Sequence, residues 1–403
     1  MAYTDAKPSR TVQSLPALRY WRDPKIRGYA VQILLILFLV WLGYEIVTNT
    51  GANLKRLNKS FGWQWLSNSA GFDILQSLVP YSSSSSYRSA LIVGFLNTLL
   101  VALLGILFAT VLGFTLGIMR LSKNWLVSAT ATLYVETVRN IPLLLQLFIW
   151  YSLVLKPLPD PARALSVWDS FFLSNKGLFF PEPVFTSAAW LAFVMLIAAA
   201  IAAVVIRRWA MARQALTGEQ FPHLLTGIGL VIGAPILGLV LAGWPLSFEY
   251  PVLDVSGMIK NFKGGLTVYP EFAALLVGLS IYTASFIAEI VRAGIQAVSH
   301  GQTEAAGALG IRSGPMLRLI IIPQALRVII PPLANQYLNL TKNSSLAVAI
   351  GYPDLVAMGG TVNNQSGRII EVMLIWLVIY LSLSLITAGL MNWYNASKRL
   401  VER

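Results

Sequence analysis

Residues 299–323 read S-H-G-Q-T-E-A-A-G-A-L-G-I-R-S-G-P-M-L-R-L-I-I-I-P, a polar, proline-stopped segment between long apolar runs. Ser299 followed three residues later by Gln302 has the spacing of a capping box and predicts a helix from about His300. Gly310 suits the left-handed position just past a helix end, which limits that helix to roughly ten residues. Gly314-Pro315 predicts the start of a second short helix, interrupted at Pro323. Ala305, Ala306 and Ala308 add little bulk, so a partner's surface can approach the first helix's backbone closely. The competing reading of the same residues is an ordinary loop on a bilayer surface.

The chain around this segment is apolar. Of its 403 residues 56% are hydrophobic and 12% charged, and the mean hydropathy is +0.67. A soluble domain with that balance lacks a charged exterior. Eight apolar runs predict spanning helices at about 29–47, 92–119, 128–155, 188–206, 224–243, 269–292, 326–350 and 369–391, most of them near the roughly 18–20 residues that cross a bilayer. With no cysteine and two histidines, a thiolate site is excluded and a zinc or haem site is not expected; no metal ligand set is assigned.

Basic residues set the orientation, because Lys and Arg concentrate in cytoplasmic loops. Lys7, Arg10, Arg19, Arg22, Lys25 and Arg27 precede the first run and place the N-terminus inside. Arg120 and Lys123, then Arg207, Arg208 and Arg213, then Arg292, Arg312 and Arg318 fall inside in turn, as do Lys398, Arg399 and Arg403 at the C-terminus. Lys55, Arg56 and Lys59 lie on the other side against the trend. The net charge of +13 is thus spread over span ends rather than gathered on one face, and nucleic-acid binding is not expected. The first run is too long for a cleaved signal and reads as a retained anchor.

By these runs residues 1–28 form a basic cytoplasmic tail, and 29–87 hold the first span and an outward loop that ends in the serine run 82–86. Residues 156–267 form an insert with two spans, a Pro/aromatic stretch over 156–183 and a polar loop around 249–265.

Polar residues within spans are costly, about 2.5–3.5 kcal/mol for a central Lys or Asp on insertion scales, so each needs a reason. Asn335, Asn339, Lys342 and Asn343 share one helix face. Lys342 offers a charge to a carboxylate, and the amides can donate or accept. The stripe suits a path for amino acids; interhelical hydrogen bonding is the other reading. Gln146, beyond the helix-restricting Pro142, is a further path candidate. Glu289 can pair with Arg292 three residues on, neutralise Lys342 or meet a substrate ammonium, and Glu136 can pair with Arg139. Gly105, Gly113 and Gly117 suggest close helix packing. No G-x-x-x-x-G-K-[ST] loop is present, so ATP hydrolysis by this chain is not expected, nor is an intramembrane enzyme.

The run E-A-A-G-A-L-G at 304–310, with Pro323 downstream, resembles the EAA loop of ABC importer permeases. R-N-I-P-L-L-L-Q-L-F at 139–148, P-Q-A-L-R at 323–327 and K-N-S-S-L at 342–346, followed by Ile350-Gly351, are similar to the polar amino-acid branch of that family. The likeness covers 88–155 and 268–395. It implies an all-α integral membrane protein with a type I ABC importer permease core of five spans, an extra N-terminal span and a two-span insert, in a bacterial inner membrane. It implies a coupling loop at 299–323, with Glu304, Ala305, Ala306, Gly310 and Pro323 meeting a cytoplasmic ATP-binding ATPase dimer. It also implies a second homologous permease subunit, an extracytoplasmic amino-acid-binding protein, an amino-acid substrate and surrounding membrane lipid, with no cofactor in this chain. Length and insert are similar to the long permeases of general L-amino-acid systems, which pair as heterodimers. An ion-coupled secondary transporter is the alternative. It would need an intramembrane ion site, and it leaves the capped loop without a purpose.

Overall fold

The computed structural model describes residues 24–56, 61–255 and 260–397. The basic residues expected at Lys7, Arg10, Arg19, Arg22, Lys59, Lys398, Arg399 and Arg403 lie outside the described residues. The helices are α1 (Pro24–Arg56), α2 (Tyr87–Met119), α3 (Trp125–Asn140), α4 (Leu143–Phe148), α5 (Trp190–Thr217), α6 (His223–Leu241) and α7 (Pro270–Gln296). They continue with α8 (His300–Ala308), α9 (Ser313–Met316), α10 (Ile322–Asn343), α11 (Leu355–Ser366) and α12 (Ile369–Ser397). Among the described residues seven helical stretches are long and apolar enough to cross a bilayer, or eight if one bent pair is a single span. Lipid offers no partner to a bare N–H or C=O, so segments of this composition close their own backbone bonds as helices.

The chain divides into two units, one up to Leu66 and one from Ser67. The first holds α1, which begins at Pro24 rather than at about 29, proline being well placed in a first helical turn. Its apolar side chains are exposed along its length, as lipid contact requires. Lys55 and Arg56 occupy its last turn, where cations offset the helix dipole. That gives these two charges a local reason for standing against the loop trend.

The second unit is organised on α2 and α7. Ser86 caps α2, its Oγ accepting from the Ser89 N–H at 3.3 Å. Gly113 and Gly117, one turn apart, let α7 come close. A Cβ on Gly113 would lie 2.6 Å from Ile287 Cβ, and one on Gly117 would lie 2.7 Å from Val291 Cβ. The packing reading of these glycines therefore holds. Val101, Leu147, Leu275, Leu279, Ile287 and Leu340 are fully buried around the contact.

Pro142 restricts a helix as expected, whereas the stop expected at Pro323 is corrected. The run 128–155 is not one straight span: α3 and the stretch Leu143–Leu155 meet at 104°. Pro142 pushes Ile141 out of the helical region, to φ −96° and ψ 124°, because its ring crowds the preceding residue. Pro323, in contrast, does not stop a helix. A π-helical turn over Leu317–Ile321 widens the backbone ahead of it, and the span runs unbroken over Ser313–Ile350. Proline tolerates this position because its missing N–H falls in the first turn of α10.

Beyond the end of that span the chain turns back on itself. Gly351 takes φ +81°, and residues 352–355 are bonded onto α2. Asn97 Nδ2 donates to Gln76 O and Pro353 O, both at 2.9 Å, and Tyr352 Oη donates to Asn97 O at 3.2 Å. The Leu355 N–H donates to Thr98 Oγ1 at 3.0 Å. Helix α11, which the sequence analysis does not assign, is capped by Asp354, whose Oδ1 accepts from the Ala357 N–H at 2.8 Å. Gly94 makes room, since a Cβ there would lie 2.8 Å from Asp354 O.

The insert pairs α5 with α6 as a helical hairpin and carries strands β1 (Leu165–Val167), β2 (Phe171–Ser174), β3 (Gly177–Phe180), β4 (Glu182–Phe185), β5 (Leu246–Glu249), β6 (Val252–Asp254), β7 (Asn261–Lys263) and β8 (Leu266–Val268). They form an antiparallel sheet in the order β1-β2-β3-β8 and the two-stranded pairs β4-β5 and β6-β7. Phe262 stacks on Phe172 at 4.5 Å and lies 4.8 Å from Phe179, joining two of these sheets. The aromatic runs on either side of Asn175-Lys176 were a hairpin signal that the sequence reading left as a Pro/aromatic stretch.

Asp354 is fully buried. Burial pushes its carboxyl from the ordinary 3.8 up to about 7, against the lowering effect of backbone N–H donors at Ala357, Val356 and Asp354 itself. A raised carboxyl favours folding most below its unfolded value, and that contribution is lost as pH rises through the folded one. Asp354→Asn keeps the cap and removes the ionisation. Thermal unfolding of the purified chain should show the variant gaining on wild type between about pH 5 and about pH 8. The same difference at both pH values would exclude this account.

Candidate coupling and transport site

Helix α8 is short, and its ends are built differently from the sequence expectation. Ser299 stands at its N-cap without a side-chain bond, so the capping box does not form. The Gln302 N–H reaches Ser299 O at 3.0 Å. The Gln302 side chain turns to α10 instead, accepting from Gln324 Nε2 at 3.3 Å. The far end matches expectation. Gly310 takes φ +71°, its N–H donates to Gly307 O at 2.9 Å, and the Ile311 N–H donates to Ala306 O at 3.0 Å. These two bonds are a Schellman closure, and they satisfy carbonyls that a helix end otherwise leaves bare.

Ala306 is 2% exposed and seats α8 on the protein. Glu304, Ala305, Gly307 and Ala308 are exposed, and Leu309 beside them is 78% exposed. The outward face is therefore one carboxylate beside a small apolar patch. The sequence does not single out Leu309; its exposure is set by the turn at Gly310. Pro323 is exposed where the π turn meets α10.

A charge cluster joins the ends of α2, α3 and α7, the last of which leads to α8. Arg120, at the end of α2, donates from Nη1 to Glu289 Oε2 at 2.5 Å and from Nη2 to Glu136 Oε1 at 3.3 Å. Glu289 is also held by Arg292, Nη2 to Oε1 at 2.5 Å and Nε to Oε2 at 3.1 Å. Arg292 Nη1 donates on to Gln296 Oε1 at 2.7 Å. The local Glu289–Arg292 pair is thus present, and Glu289 spends both oxygens on arginines rather than on Lys342. Glu136 pairs with Arg120 and not with Arg139, whose guanidinium lies 5.1 Å from the centre of the Phe286 ring. Arg120 ties α2, α3 and α7 together; the sequence reading had used it only as an orientation marker.

The stripe on α10 lies opposite its packed side. Ile329, Leu333, Leu340 and Thr341 are buried, whereas Asn335, Asn339 and Lys342 are exposed and Asn343 is half-buried. Asn335 lines a groove with Leu338, Met391 and Asn392. Lys342 lines a second groove with Ser345, Trp376 and Tyr380. Gln146 departs from its expected place. It is 6% exposed, and its Nε2 donates to Val138 O at 2.8 Å and Ile141 O at 2.9 Å. Pro142 has no N–H to donate to Val138 O four residues back, the bend leaves Ile141 O without a helical partner, and in lipid water cannot replace either, so the glutamine amide closes the bend. Among the described residues no group of three or more His, Cys, Asp and Glu is placed to hold a metal ion.

Comparison with known proteins agrees with this architecture. Residues 267–400 match the family described as "Binding-protein-dependent transport system inner membrane component". The chain is 52% identical over 381 residues to the general L-amino acid transport system permease protein AapQ of Rhizobium johnstonii, covering 94% of each chain. It is 46% identical over 383 residues to the putative amino-acid ABC transporter permease protein YhdX of Escherichia coli, covering 94% of this chain and 96% of that one. With the glutamate/glutamine/aspartate/asparagine transport system permease protein BztB of Rhodobacter capsulatus it shares 43% identity over 421 residues, at 94% and 96% coverage. A solved amino acid ABC transporter with histidines aligns with 77% of this chain and 95% of its own at 21% identity and a TM-score of 0.45. Near full-length identity at this level, together with the helical membrane architecture, makes the chain a member of the binding-protein-dependent, or ABC, transport permease family, in its amino-acid branch.

Proposed function

We propose that this chain is one of two permease subunits of an ATP-driven importer of L-amino acids in a bacterial inner membrane, with both termini cytoplasmic. The observation that carries the reading is α8. It is a closed, exposed helix joined to α7 by residues 297–299 and bonded to α10 through Gln302 and Gln324. A push on α8 is thereby delivered to two spans at once. A cytoplasmic ATPase dimer docks against Glu304 and Ala305, Ala306 anchors the helix from behind, and Gly310 and Pro323 shape its return into the membrane. ATP is hydrolysed on that partner, and this chain needs no cofactor of its own.

The five spans within 88–155 and 268–395 form the moving core. Asn335, Asn339, Lys342 and Asn343 contribute to the path. Polar side chains exposed on a helix at membrane depth need water or a partner, so a second homologous permease subunit completes the path over this stripe. Lys342 then faces the substrate carboxylate, and the asparagines hydrogen-bond the rest. An extracytoplasmic amino-acid-binding protein delivers the substrate on the side away from α8, where the sheets of 156–267 widen the surface. Transport follows the interchange of two global states open to opposite sides. The names of the near full-length relatives support amino acids as the cargo. An ion-coupled secondary transporter is disfavoured, because Glu136 and Glu289 are bound to arginines and α8 would have nothing to meet.

Glu304→Lys should abolish amino-acid uptake into proteoliposomes holding the whole complex while the subunit still inserts and ATP hydrolysis continues. Wild-type uptake by a membrane-verified variant would sink the coupling assignment. Lys342→Ala should raise the half-saturating substrate concentration about tenfold or more, the cost of losing a charged hydrogen bond, with the complex still assembled. Loss of assembly alongside equal loss for every substrate would assign Lys342 to packing instead.

A further inference from the structure

We propose that the groove between the insert hairpin and the first turns of the seventh span binds one anionic phospholipid of the leaflet on the α8 side. The groove has a volume of about 780 Å³. It lies where α5 and α6 meet the start of the span Ser313–Ile350. Its wall is aliphatic, including Val204, Ile228 and Val231, and its rim carries Arg207, His223 and Arg318.

The level of that rim follows from the sequence. From Trp190 to Ile206 α5 has no charged residue; at 1.5 Å per residue this apolar stretch is about 26 Å long, close to the hydrocarbon thickness of a bilayer. Arg207 is the first charge after it. His223 opens α6, and Arg318 lies in the π turn near the start of the seventh span. The three cationic or titratable groups therefore ring the polar end of a slot whose walls continue into the hydrocarbon. An aliphatic slot at that depth suits an acyl chain, and the rim matches a phosphate in charge and in geometry, since guanidinium forks bind phosphate oxygens in pairs.

The rim charges are available for such a ligand. Among the described residues no carboxylate lies within ion-pair distance of Arg207 or Arg318. The acid closest in sequence, Glu219, is taken by Arg213 at 2.6 Å. Helices α5 and α6 pack chiefly against each other, with Gly238 set against Ala192 and Gly227 against Ala203. A lipid in the groove fills the space that protein leaves between the insert and the core. The site is separate from helix α8 and from the polar stripe, although Arg318 belongs to the 299–323 segment.

The test is native mass spectrometry of the purified complex titrated with phosphatidylglycerol and, separately, with phosphatidylcholine. Phosphatidylglycerol should be retained over phosphatidylcholine. Arg207→Ala and Arg318→Ala should each weaken its retention about fivefold, the contribution of one cation near an anionic headgroup. Arg207→Gln repeats the test with most of the side-chain length kept. Arg208→Ala is the control, because Arg208 neighbours Arg207 in the chain but does not line the groove. Equal losses for Arg207→Ala and Arg208→Ala would reduce the effect to a general attraction of anionic lipid to basic helix ends and overturn the site. Equal retention of the two lipids by the unmodified complex would overturn the headgroup assignment.

Discussion

The close contact of α2 with α7 is the constraint on which the rest of this structure depends. Two glycines one turn apart admit Ile287 and Val291 to the α2 backbone, and dispersion between tightly fitted surfaces is the main attraction available between helices in lipid. Three further features hang from this pair. Arg120 at the end of α2 reaches Glu289 on α7 and draws in Glu136 on α3. Helix α8 follows from the end of α7. On the opposite side the return segment with α11 is bonded to α2 through Asn97 and Thr98. A displacement of α8 would therefore act on a block whose two main helices are closely fitted, which suits the coupling role proposed for it.

A second theme is the cost of bare polar groups where water is absent. Several irregularities in and beside the spans are accompanied by their own compensation. The bend at Pro142 is closed by the Gln146 amide. The prolines of the seventh span sit behind a π turn or within a helix whose neighbours remain packed. The return at Gly351 is stitched to α2 by side-chain amide and hydroxyl groups. The exposed stripe of α10 and the two arginines at the rim of the insert groove stand out because they carry polar groups without such closure among the described residues. These are the two places where the proposals above put a partner, a second subunit over the stripe and a lipid headgroup at the rim.

How much was legible in the sequence varied with the length scale of the signal. Long apolar runs located the spans, because about 18–20 apolar residues leave few other ways to satisfy their backbone. Gly310 marked the end of α8, since a left-handed residue there is specified locally. The capping box at Ser299 failed for a non-local reason: Gln302 found a partner in Gln324, twenty-two residues away. Glu136 failed likewise, preferring Arg120 across a helix interface to Arg139 on its own helix. The strands of the insert escaped notice because runs of three or four residues carry little periodicity.

The sequence by itself determined that the chain is a helical membrane protein with a small-residue, glycine-closed helix between two spans, because hydropathy and backbone chirality act over neighbouring residues. Only the tertiary structure decided what individual polar side chains do. It took Gln146 from a path candidate to a backbone clasp, turned Arg120 into the tie among three helices, and left Asn335, Asn339 and Lys342 facing outward. Those outcomes depend on which groups of distant segments meet in a medium where an unmet group is costly. Spacing along a single helix does not contain that information.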